Sequence, residues 1–219
     1  AFMMICAALV FFMTPGLAFF YGGLVRRKNV CNTIMACVAI MGLSVVMWTL
    51  FGYSLSFGGN HAGIIGDFRW FGLNGVGMEA GPYADSIPHL VFCAFQMMFA
   101  MITPALITGS LVGRMKFKAL FLFVAIWSVI VYYPMTHMVW GDGGFLAAIG
   151  SVDFAGGDVV HISSGISALV LAIILGRRRG YEHTTYRIHN IPSVVLGASL
   201  LWFGWFGFNA GSALKADGL

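Results

Sequence analysis

Apolar residues gather into six long runs separated by shorter polar segments, near 3–25, 30–57, 88–112, 119–140, 155–176 and 191–210. Each run is close to, or longer than, the ~20 residues a helix needs to cross ~30 Å of hydrocarbon. The longest polar stretches are a glycine-rich segment near 58–87 and the loop RRRGYEHTTYR at 177–187. Neither has the makings of a catalytic module. The pattern predicts an all-α polytopic membrane protein, with residues 1–219 forming one membrane domain of six transmembrane helices.

The charges orient those helices. Lysine and arginine collect on the cytoplasmic side of short loops. Ten of the twelve basic residues lie in alternate loops: Arg26, Arg27 and Lys28, then Arg114, Lys116 and Lys118, then Arg177, Arg178, Arg179 and Arg187. Arg69 and Lys215 fall on the opposite side, together with seven of the eight acidic residues. The amino terminus is therefore predicted to lie outside, and the sixth span to run outward.

Composition excludes a water-soluble domain, since 59% of residues are hydrophobic and 9% charged, with mean hydropathy +0.88. No soluble fold of this size hides so much apolar surface. The pI near 9.0 reflects membrane topology and gives no case for nucleic-acid binding. Cys6, Cys31, Cys37 and Cys93 lie in or beside spans, without metal-ligand spacing or a disulfide framework, and read as small hydrophobes. No phosphate loop, HExxH site or nucleophile elbow is present, so no enzyme, cofactor or metal is expected. Ala1 opens directly into apolar sequence, which leaves either a removed signal peptide or a start inside a longer protein.

One ionisable group stands out. His161 lies within the fifth run, beyond its opening aspartates, where an ionisable side chain is costly and by default functional. Aromatics and hydroxyls collect at the external ends of other spans. Phe95, Phe99 and Thr103 share one helix face in the third span. His137 and Trp140 stand three apart near the end of the fourth, and Trp205, Phe208 and Ser212 share the external end of the sixth. A phenylalanine pair at this spacing also suits plain packing, and a tryptophan there also suits an interfacial belt. An aromatic ring plus a hydroxyl oxygen is what a small cation needs when it sheds water, the ring face contributing ~2 kcal/mol or more when desolvated. Potassium calls instead for a cage of carbonyls or carboxylates, so the set favours ammonium or an alkylammonium. A weak echo between GLAFFYGG (16–23) and GWFGFNAG (204–211), at opposite faces, fits either chance or an inverted repeat.

The segments MTPGLAFFYGGLVRRKNV (13–30), AFQMMF (94–99), HMVWGDGG (137–144), DFAGGDVVHISSG (153–165) and WFGWFGFNAGSA (202–213) resemble the ammonium transporter (Amt/Rh) family, on its Amt side. The resemblance implies an inverted-repeat bundle of eleven helices, of which this chain carries the first six, and a homotrimer with one pore per subunit. It assigns Phe99, Trp140 and Ser212 to an outer ammonium-recruitment site and Phe99 with Phe208 to a phenylalanine gate. His161 matches the first of two pore histidines, and Asp153 a vestibule acid needed for activity. The resemblance also implies a plasma or inner membrane location and a PII-type cytoplasmic regulator as partner.

The residues themselves agree with several of these roles. His161 is eight positions after Asp153, ~12 Å along a helix axis and near mid-membrane. Asp153 opens its helix, where a carboxylate can cap free backbone N–H groups and lower the energy of a cation at the mouth. The expected mechanism is that ammonium is held outside, loses its proton and passes as ammonia through an apolar pore, with His161 kept neutral by burial. Departures from the family pattern are the missing five helices, Asp142 and Asp158 as additional acids, and Gly113 before Arg114 where a glutamate is common. Gly109 with Gly113, and Gly207 with Gly211, suit close helix packing. His61 and His89 are read as external loop or helix-end residues, and His183 and His189 as cytoplasmic loop residues. An ammonium sensor with a signalling module is the alternative. An Rh-type channel is disfavoured by Trp140.

Overall fold

The computed structural model describes residues 1–178, 180–183 and 185–217, so Arg179 of the inner basic loop lies outside the described residues. Among the described residues, six helical segments are long and apolar enough to cross a membrane: Phe2–Leu24, Arg27–Phe57, His89–Leu111, Phe117–Ala148, Gly157–Leu175 and Ile191–Ser212. They are the six predicted from the apolar runs. The fourth ends its long helix at Trp140, as predicted, and the range to Ala148 adds a turn and a short helix at Phe145–Ala148.

In chain order, α1 is Phe2–Leu24 and α2 is Val30–Met47, which continues through a π-helical turn at Trp48–Gly52 into α3, Tyr53–Phe57. The outer segment that follows contains a small antiparallel ribbon, β1 (Ala80–Gly81) with β2 (Ala84–Pro88), the one departure from an all-α expectation. Next come α4 (His89–Leu111), α5 (Phe117–Trp127), a π turn at Ser128–Tyr132, α6 (Tyr133–Trp140) and α7 (Phe145–Ala148). A third π turn, Gly157–Ile162, leads into α8 (Ser163–Leu175), and α9 is Ile191–Ser212. Each π turn inserts a residue and re-aims the side chains after it, a device concentrated at functional sites. Here the third carries His161.

Of the six spans, α4 is the most deeply buried, and it accepts Pro104 in its interior because packed neighbours can satisfy a freed carbonyl. The first and sixth spans pack antiparallel along a seam of glycines. A methyl group at Gly16 would sit 2.9 Å from Leu200 Cβ, at Gly23 2.6 Å from Val194 Cγ2, and at Gly207 2.6 Å from Leu9 Cβ. Low numbers on α1 meet high numbers on α9, so the two run in opposite directions, as the charge pattern requires. Asn190 starts α9 by accepting the Ser193 N–H at 3.0 Å, with Pro192 in its first turn.

Gly109 packs as expected, its position facing the Tyr21 ring. Gly113 does not. It lies past the end of α4 with φ +71° and turns the chain, so the predicted Gly109/Gly113 pair is not one packing face.

The outer segment folds back onto α3. The Ser54 hydroxyl donates to the Asp67 carbonyl at 2.8 Å and accepts from the Trp70 N–H at 2.9 Å. The Asp67 carboxylate accepts from the amides of Gly59 (2.9 Å) and Arg69 (3.0 Å) and from the Arg69 Nε–H (3.1 Å). Burial alone would raise the Asp67 pKa, but these donors and the adjacent guanidinium hold it below its ordinary value.

Candidate functional site

Asp153 ties two elements together. Its carbonyl accepts the Trp140 indole N–H at 2.8 Å, fixing the ring at the end of α6. Its carboxylate accepts four backbone N–H groups: Gly156 (2.5 Å) and Gly157 (2.8 Å) on Oδ1, Asp158 (2.8 Å) and Val159 (3.0 Å) on Oδ2. Gly156 makes this turn possible at φ 109°. The side chain is thus a helix cap with both oxygens committed, as its place at a helix start suggested. Asp158, the additional acid, accepts from the Ser151 hydroxyl at 2.7 Å.

Trp140 and Ser212 line one external cavity of about 320 Å³, with Phe57, Tyr83, Phe92, Gln96, Asp153, Phe154 and Leu214. The Ser212 hydroxyl donates to the Phe208 carbonyl at 2.8 Å. Its proton is spent on the helix, so its lone pairs remain for a donor in the cavity. Phe57, Tyr83 and Phe92 form an aromatic collar, with centroids 4.9 Å (Phe57 and Tyr83), 5.1 Å (Phe57 and Phe92) and 5.3 Å (Tyr83 and Phe92) apart. The Tyr83 hydroxyl donates to the Phe57 carbonyl at 2.8 Å and accepts the Asp142 N–H at 3.2 Å. Burial pushes its phenol up, so it stays a neutral donor.

Phe99 stands edge-on to Trp140, centroids 5.7 Å apart at 89°, and 4.4 Å from the Phe208 ring. Both phenylalanines are fully buried, and rings at that separation leave no passage between them. Sequence reasoning grouped Phe99 with the recruiting residues. In the structure it backs Trp140 and is not part of the cavity wall.

Beyond the phenylalanines the rings continue. His161 lies 6.2 Å from Phe208 and stacks on Trp205 at 5.6 Å with an interplanar angle of 6°. The imidazole is exposed, because no described element covers the face formed by α8 and α9, where Ile166, Ile173, Trp202 and Phe206 are exposed as well.

Sequence reasoning passed over Gln96. It lies three residues before Phe99, is 9% exposed, and its amide oxygen is buried with no hydrogen-bond partner. Such an orphan costs about 1–3 kcal/mol. A polar side chain inside an apolar run was the available signal. His137 proves to be a brace for the outer segment. Its Nδ1–H donates to the Ser56 carbonyl at 3.0 Å, and Nε2 lies 3.3 Å from Asn60 Oδ1. His89 is the first residue of α4, a helix end as expected, and is buried, with Nε2 2.5 Å from the Tyr53 hydroxyl. His61, His183 and His189 are exposed. Arg114, without the glutamate common in the family pattern, donates to the carbonyls of Ser110, Ala172 and Gly176.

The description "Ammonium Transporter Family" matches residues 1–219. An ammonium transporter of Bacillus subtilis is 51% identical over 218 residues, covering 100% of this chain and 53% of that protein. The N240A mutant of Candida albicans Mep2 superposes with TM-score 0.89 at 32% identity, over 99% of this chain and 48% of that one. A structure described as a sensor Amt protein gives TM-score 0.86 at 31% identity, over 99% of this chain and 55% of that one. The chain thus spans about half the length of the relatives it matches. With the match running from the first residue to the last and the six-span fold shared, this chain belongs to the ammonium transporter family.

Proposed function

We propose that this chain provides the external ammonium-recruitment site and one wall of the conducting path of an ammonium transporter. The observation that carries the reading is that Trp140 and Ser212 line one external cavity beside a closed pair of phenylalanine rings. Ammonium enters from outside, rests against the Trp140 ring, and donates an N–H to the Ser212 oxygen. The Asp153 carbonyl holds the indole at the cavity wall, and the negative charge of its carboxylate favours a cation there without touching it.

Parting of Phe99 and Phe208 then admits ammonia rather than ammonium. A neutral molecule crosses an apolar constriction at far lower cost than an ion, so passage selects for loss of the proton. The proton returns to the outer water or is relayed through His161, which also offers ammonia a hydrogen bond beyond the gate. Homotrimeric assembly and a PII-type cytoplasmic regulator belong to the same proposal and rest on family membership.

A second reading, ammonium sensing, is favoured by the likeness to the sensor Amt structure. Ammonium-dependent current from the full-length protein on a solid-supported membrane separates the two. Current in the wild type that is lost in Trp140→Leu and altered in His161→Ala supports charge-coupled transport. Ammonium binding without current, and without vesicle alkalinisation in a stopped-flow assay, supports sensing.

A further inference from the structure

We infer that Gln96 is a third ligand of the recruited ion, its amide oxygen accepting an ammonium N–H that neither Trp140 nor Ser212 can reach. The inference rests on the recruitment reading given above and extends it by one residue.

An ammonium ion carries four N–H donors. A ring face takes one or two of them and a serine oxygen takes another, so a site with only these leaves donors unmatched once water is shed. The described cavity offers few further acceptors. Both Asp153 carboxylate oxygens are occupied by backbone N–H groups, and the Tyr83 hydroxyl is engaged with Phe57 and Asp142. Beside Ser212, Gln96 is the wall side chain whose acceptor oxygen has no partner at all. It lines the cavity, and its oxygen is buried without a partner.

Its position on α4 explains how it meets the ion. Gln96 precedes Phe99 by three residues and follows Phe92 by four, so it shares a helix face with a collar ring and a gate ring. Phe95, its immediate neighbour, turns the other way, against Gly211 of α9. The terminal torsion of glutamine is broad and roughly two-fold. A half-turn therefore exchanges amide oxygen and nitrogen at little cost, and an arriving cation draws the orphaned oxygen toward itself. An apolar residue of the same size would pack there without leaving a polar atom unmatched, so packing alone gives no reason for glutamine.

The test measures ammonium uptake by the full-length protein in proteoliposomes, for wild type, Gln96→Leu, Gln96→Glu and Trp140→Leu. Monodispersity and thermal midpoint are recorded for each. If Gln96 is a ligand, Gln96→Leu raises the half-saturating ammonium concentration about tenfold or more, as for loss of a hydrogen bond to a charged group. Its maximal uptake stays near wild type and its thermal midpoint does not fall, and Gln96→Glu, which keeps acceptor oxygens, restores the half-saturating concentration. A half-saturating concentration unchanged in Gln96→Leu but raised in Trp140→Leu overturns the Gln96 assignment and leaves recruitment standing. No change in either variant overturns recruitment, and the Gln96 assignment with it. If Gln96→Leu does not fold, failure of Gln96→Glu to bind ammonium at wild-type concentrations overturns the assignment by itself.

Discussion

The external chamber and the face formed by α8 and α9 carry the two halves of the proposed chemistry, and they are built in opposite ways. Around the chamber, side chains are held by named partners: Trp140 by Asp153, Tyr83 by Phe57 and Asp142, His137 by Ser56, and Ser54 by Asp67. On the α8 and α9 face, His161 keeps ring contacts with Trp205 and Phe208 and is otherwise exposed. The chamber is preorganised by this chain's own bonding. The face contributes chemistry while the fold takes little support from it. The same substitution should therefore damage structure in one region and only function in the other.

The strongest challenge to that contrast is Asp153→Ala. Four N–H groups lose their acceptor, and the turn that carries the main-chain carbonyl bonded to the Trp140 indole loses its cap, so stability should fall by about 3 kcal/mol or more. The thermal midpoint of the detergent-solubilised protein reads this, and uptake should vanish with it. Asp153→Asn, retaining one acceptor oxygen, should fall between. An unshifted midpoint for Asp153→Ala would break the claim that the chamber depends on the cap.

His137→Ala should cost less, about 1–2 kcal/mol, because the Ser56 carbonyl loses its donor where burial prevents water from replacing it. Its uptake should fall through a loosened outer segment rather than a lost ligand, so the half-saturating concentration and the midpoint should move together. In His161→Ala stability should change by no more than about 1 kcal/mol, the worth of an aromatic stack, while current changes markedly. Equal destabilisation by His137→Ala and His161→Ala would erase the distinction between the regions.

The smallest effect concerns acid. Asp67 has a folded pKa below its ordinary value, so its contribution to stability is present above the unfolded pKa, near 3.9, and fades as pH falls through the folded value. Proteolytic nicking of the segment near 58–87 should rise below about pH 4 in the wild type. In Asp67→Asn it should be higher already at neutral pH, with little further change on acidification.

Much of this was legible in the sequence, and for separate reasons. The six spans follow from run length, and their directions from Arg26 to Lys28, Arg114 to Lys118 and Arg177 to Arg187, since both signals are set by the bilayer and need no tertiary information. Asp153 as a cap followed from its place before the fifth apolar run. What was not legible depends on contacts between distant segments. His137 reads as a neighbour of Trp140 until the chain brings Ser56 and Asn60 to it. Gly113 satisfies a spacing rule yet lies beyond the helix that the rule presumes. The depth of His161 in the membrane could be inferred, but depth says nothing about the Trp205 and Phe208 rings that it meets.

The glycine seam between α1 and α9 also bears on how the protein is made. Helix α1 packs most extensively on α9, so about 170 residues, Leu24 to Val194, must be synthesised before that contact can form. During that interval the narrow faces at Gly16 and Gly23 are open to lipid or to whatever attends insertion. A bulky residue at Gly197, whose position abuts the α1 backbone at Phe20 and Gly16, should leave each span inserted but trap the bundle open. The defect would be one of assembly rather than of membrane targeting.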